Sequence, residues 1–74
     1  MHLQIVMDRS GDTRHVFDPA DQKAVKDAEQ RFHDLTGKGF RAVALWKDGV
    51  PGVLLNQFDA RAEETLFIPQ LQGG

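Results

Sequence analysis

A single stretch of this chain carries a helical period, and it sits between two stretches patterned for strands. Ala24, Val25, Ala28, Phe32 and Leu35 recur at spacings of three and four, forming one apolar stripe. Lys23, Lys26, Asp27, Glu29, Gln30 and Arg31 fill most of the remaining helix surface. One helix has only one apolar face, so the flanking strands must supply the surface that covers it.

The helix has a legible start and stop. Asp18-Pro19-Ala20-Asp21 predicts an N-terminus, with Asp18 capping free N–H groups, Pro19 in the first helical position and Asp21 against the positive end of the dipole. Gly37 and Gly39 mark the end, where glycine enters the left-handed region cheaply.

Before the helix, residues 3–7 read as a strand with Leu3, Ile5 and Met7 on one face. Asp8-Arg9-Ser10-Gly11-Asp12 carries turn residues, and residues 13–17 read as the returning strand. After the helix, residues 40–47 read as a third strand, and Asp48-Gly49 is a hairpin signal. Val50 to Leu55 reads as a short edge strand interrupted by Pro51 and Gly52. Asn56 to Glu64 is polar, with Phe58 as its main apolar anchor. Residues 65–69 form a last strand with Leu66 and Ile68 expected to face the core. Leu3, Ile5, Val25, Phe32, Leu45, Leu66 and Ile68 are thus expected to meet between sheet and helix.

Strand, strand, helix, strand, short strand, strand predicts an α+β domain. Its mixed sheet of four to five strands packs on one helix, and the first and last strands can lie parallel at its centre. This is the β-grasp arrangement. Residues 1–69 are expected to form the domain, and 70–74 a flexible tail ending in Gly73-Gly74.

Several function classes are disfavoured by what the 74 residues contain. A domain this small has little apolar surface to give up to a deep cleft, which favours binding or carrying over catalysis. No cysteine is present, so disulfides, thiolate metal sites and a cysteine nucleophile are all absent. The formal net charge is −2, and the nine Lys and Arg are scattered, without the basic stripe of a nucleic-acid binder. No apolar run approaches the roughly 18 residues needed to span a bilayer. Met1-His2-Leu3-Gln4 lacks the basic start and apolar middle of a signal peptide, so a cytoplasmic location is expected. His2, His15 and His33 fall on three different elements, which disfavours a metal site. Asp8, Asp12 and Ser10 are read as turn residues rather than calcium ligands or a nucleophile. No catalytic residue is expected anywhere.

The chain resembles the ubiquitin family along its whole length, most closely at the end. The carriers are the strand from Met1, the Gly-containing hairpin, the Asp18-Pro19-Ala20-Asp21 helix entry, Glu63-Glu64-Thr65-Leu66-Phe67-Ile68, and then Leu71-Gln72-Gly73-Gly74. The middle, from Arg41 to Phe58, does not align. The tail also departs from ubiquitin's basic one, because Gln70 and Gln72 are neutral. A dedicated activating enzyme is therefore expected, and the divergence points to a bacterial modifier system.

The resemblance implies a protein modifier. An E1-like activating enzyme would adenylate the Gly74 carboxylate with ATP and pass it to a cysteine as a thioester. An E2-like enzyme would follow, an isopeptide bond to a target protein's amine would form, and a deubiquitinase-type protease would reverse it. Gly73 and Gly74, lacking Cβ, suit a narrow channel. Leu71 and Gln72 complete the recognised tail. No cofactor of its own is implied, nor any nucleic acid or membrane partner. Lys23, Lys26, Lys38, Lys47 and the Met1 amine are the chain-forming acceptors on offer.

If Leu66 and Ile68 face the core, Phe67 faces outward and with Val6, and with Pro69 or His15, forms an apolar docking patch. Two other readings stand beside the modifier. One is a sulfur carrier, in which the same carboxylate becomes a thiocarboxylate. The other is a non-conjugated β-grasp interaction domain.

Overall fold

A computed structural model of the protein describes residues 1–46 and 52–70. Five strands and one helix follow in the expected order: β1 (His2–Asp8), β2 (Gly11–Phe17), α1 (Gln22–Gly37), β3 (Phe40–Leu45), β4 (Val53–Leu55) and β5 (Glu64–Pro69). They form one mixed five-stranded sheet in the order β2-β1-β5-β3-β4, with the helix across it. β1 and β5 are parallel neighbours at its centre, and the other pairs are antiparallel. The Asp48-Gly49 signal lies outside the described residues.

The helix entry is displaced from the expected cap. Asp21, not Asp18, is the N-cap, and its carboxylate accepts from the N–H groups of Lys23 and Ala24. Asp18 instead shapes the turn before the helix. Its carboxylate accepts from Ala20 N–H, and its carbonyl accepts from Asp21 N–H at 3.0 Å. Pro19 is therefore the second residue of a tight turn, a position its fixed φ suits as well as the first turn of a helix. At the other end, Lys38 caps the helix and Gly39 takes φ +100, the left-handed backbone expected of a glycine there.

The sheet register sorts side chains into two faces. Gln4 bonds to the helix, so it points toward α1. By alternation, its row His15–Gln4–Thr65–Ala44–Val53 faces the helix, as does the row Thr13–Val6–Phe67–Ala42–Leu55. The rows Arg14–Ile5–Leu66–Val43–Leu54 and Val16–Leu3–Glu64–Leu45 face away.

The core is centred on Phe32, Ala42 and Phe67, with Val6, Leu35, Phe40, Leu55 and Phe58 packed against it. Ala42 and Ala44 leave room for the helix to approach, and both are buried. Three aromatic contacts tie helix, loop and sheet together: Phe32–Phe67 at 5.8 Å, Phe32–Phe58 at 5.9 Å and Phe17–Phe58 at 6.5 Å between centroids. Phe58 thus anchors its polar segment as expected.

The expected core phase is corrected on three strands, β1, β3 and β5. Phe32 is central, but Leu66 and Ile68 point away from the helix, as do Leu3, Ile5 and Leu45. β1 and β5 carry apolar residues in both phases, so alternation cannot choose the inner one. The aromatic ring decides, because Phe67 is the β5 residue that packs on the Phe32 ring of the helix.

Candidate functional site

The reversed phase removes Phe67 from the surface. It is 0% exposed and rests on Phe32. Val6 packs against the same cluster and is only partly exposed. The expected patch of Phe67 and Val6 is therefore part of the core. Leu71, Gln72, Gly73 and Gly74 lie outside the described residues. Gln70, the last described residue, is exposed directly after β5.

Apart from Val53, exposed at the β4 edge of the helix side, the apolar strand residues that the described sheet presents lie on its opposite side. Leu66, Val43 and Leu54 stand side by side across three strands, next to Ile5, which is itself buried at 8% exposure. Leu54 is 53% exposed and Ile68, on the same face, 40%. Arg14 and Arg41 flank this face: Arg14 lies opposite Ile5 on β2, and Arg41 opposite Ile68 on β3. A row of apolar side chains flanked by two guanidinium groups can dock an apolar segment that carries acidic residues. The sequence held this signal in Leu3, Ile5, Leu66 and Ile68, but read it as the inward face.

A polar clamp lies on the helix side. Gln4 is 1% exposed, and its Nε2 donates to the Ala28 carbonyl at 3.0 Å. Arg31 Nη1 donates to Gln4 Oε1 at 2.8 Å. His15 stands beside Gln4 across the β1–β2 pair. Partial burial lowers the His15 pKa from its ordinary value, and the nearby Arg31 charge lowers it further. Burying an amide is costly unless both its ends are bonded, and here both are. The clamp joins sheet to helix and is structural. A Gln in the inward phase of a strand, between apolar Leu3 and Ile5, was its one sequence signal.

The remaining polar groups of interest are local. Asp8 accepts from the N–H and hydroxyl of Ser10, both at 2.6 Å, and these bonds hold its carboxyl below the ordinary carboxylate pKa. Asp59 accepts from Arg61 N–H at 2.9 Å, which holds its own carboxyl below the ordinary value. His2 Nδ1 meets the Ala60 carbonyl at 2.9 Å. Among the described residues, no group of three or more His, Cys, Asp or Glu could hold a metal ion. Nor is any described helix long and apolar enough to cross a membrane.

Comparison with family models, with curated proteins and with solved structures found no match.

Proposed function

We propose that this chain is a β-grasp, ubiquitin-like protein modifier, adenylated at Gly74 by an E1-like enzyme and conjugated to amines of a target protein. One observation carries the reading. β5 runs parallel to β1 at the sheet centre, and its sequence continues directly into Leu71-Gln72-Gly73-Gly74. The strand that completes the sheet is thus the strand from which the diglycine segment leaves.

The chemistry asks little of this chain. Gly74 carboxylate attacks the α-phosphorus of ATP, forming an acyl adenylate and releasing pyrophosphate. A cysteine thiolate of the activating enzyme displaces AMP to give a thioester. A target amine then displaces the thiolate and forms the isopeptide bond. Glycine at positions 73 and 74 leaves the carbonyl unobstructed and lets the backbone enter a narrow channel. Partners of the conjugation machinery would dock on the apolar face around Leu54, Leu66 and Ile68.

The test is incubation with the cognate activating enzyme, ATP and magnesium, read by non-reducing gel and intact mass. A thioester cleaved by a thiol reductant is expected. Deleting Gly74 abolishes it without changing the unfolding midpoint. Mass spectrometry of the protein from its native cell separates the outcomes. A Gly74 isopeptide supports the modifier, and one carboxylate oxygen replaced by sulfur supports the sulfur carrier. An unmodified Gly74 in a cell that encodes an activating enzyme leaves the non-conjugated interaction domain.

A further inference from the structure

β2 is an edge strand of seven residues, Gly11–Phe17, whereas the edge at the other side of the sheet, β4, has three. Among the described residues, no other strand covers the outer side of β2. Long edges are normally blunted by Pro, Lys or brevity, because their free N–H and C=O groups template pairing. β2 contains neither Pro nor Lys, and carries β-prone Thr13, Val16 and Phe17. Its charged side chains are Asp12 and Arg14, both exposed and both on the face away from the helix.

We propose that the outer edge of β2 pairs antiparallel with β2 of a second copy of this chain, in one register centred on Thr13. The charges select this register. A two-fold axis normal to the sheet pairs each residue with one of the same face, so the possible centres are single residues. Centred on Asp12, the pairing puts Asp12 against Asp12. Centred on Arg14, it puts Arg14 against Arg14. Centred on His15, it leaves Arg14 against Val16. Centred on Thr13, it sets Asp12 against Arg14 of the second copy and Arg14 against its Asp12. Directly opposed unlike charges favour a strand pair, and opposed like charges disfavour it. The central pair would be Thr13 with Thr13, a favourable cross-strand match.

The result is one continuous ten-stranded sheet with both helices on the same face, since paired residues share a face. The apolar rows of the two copies become neighbours on the other face. Gly73 and Gly74 play no part, so the pairing is independent of conjugation.

Sedimentation equilibrium on the wild-type protein tests this, with circular dichroism and urea unfolding as checks on the fold. A monomer–dimer equilibrium that weakens with added salt is expected. Asp12→Arg and Arg14→Asp should each weaken it by about tenfold or more, because each turns two attractions into two repulsions. The double variant Asp12→Arg/Arg14→Asp should regain the wild-type dimer. Mixing the two single variants should give a heterodimer, since unlike charges then meet at both pairs. A wild-type protein still monomeric at about 1 mM overturns the proposal. So does a dimer indifferent to the single reversals, or a failure of both the double variant and the mixture to restore association.

Discussion

Phe67 and Phe32 meet edge to face, with centroids 5.8 Å apart and ring planes at 70°, and both are essentially excluded from solvent. This one contact fixes which side of β5 is inside. Phe67→Ala should cost about 3–5 kcal/mol in urea unfolding, a large share of the stability of a small domain. A double-mutant cycle with Phe32→Ala should show a coupling of about 0.5–1.5 kcal/mol beyond area loss. Ile68→Asp, one residue away but on the open face, should change stability by less than about 1 kcal/mol. A cost for Ile68→Asp equal to that for Phe67→Ala would reverse the assignment of faces.

The Gln4 clamp should behave as a unit. Gln4→Leu leaves Arg31 without its amide acceptor and should cost about 1–3 kcal/mol. Arg31→Met should cost somewhat less, because the Gln4 amide keeps its bond to the Ala28 carbonyl. The double variant should lose less than the sum of the two, since no half-paired group remains. Strict additivity in urea unfolding would show that the clamp is not coupled.

Two aspartates before the helix should differ. Asp21→Ala removes the carboxylate that accepts from Lys23 and Ala24, and should cost about 0.5–2 kcal/mol. Asp18→Ala loses a turn bond to Ala20 and should cost less than Asp21→Ala. Thermal melts of the two variants in parallel decide it. The reverse order would return the cap to Asp18.

His15 should make the fold sensitive to mild acid. Its folded pKa lies below the ordinary value of 6.5, through burial and then Arg31. As pH falls from neutral, the unfolded chain therefore binds the proton first. Stability is full above about 6.5 and is lost as pH drops through the lower folded pKa. Urea midpoints measured between about pH 7.5 and 5.5 should fall, and less steeply in His15→Gln. An NMR titration placing the His15 midpoint above 6.5 would contradict the sign.

Element order and approximate boundaries were legible because each element carries its own local signal. The helix stripe from Ala24 to Leu35, the turn at Asp8-Arg9-Ser10-Gly11 and the left-handed Gly39 all act over a few residues. The inner phase of β1 and β5 was not legible. Ile5 and Val6, like Leu66, Phe67 and Ile68, place apolar groups in both phases. The choice between phases is a tertiary matter, decided by where Phe32 and Phe58 lie. Gln4 would have settled it: a polar side chain at the sheet centre is tolerable only on the side that offers a helix carbonyl and a guanidinium. The docking reading failed with the phase, since Phe67, expected outside, is buried against Phe32, while Leu66 and Ile68 face away from the helix.

The parallel pairing of β1 with β5 has a consequence for synthesis. The first strand made must wait for the last before the sheet centre closes, and contacts this distant along the chain form late and slowly. A nascent chain stopped before Glu64 holds Gln4, Val6 and Ile5 with no central neighbour, and remains prey to proteolysis. Completion of the fold therefore reports that translation has reached the segment leading into Gly73-Gly74. In this topology, a folded domain reports that synthesis has passed β5.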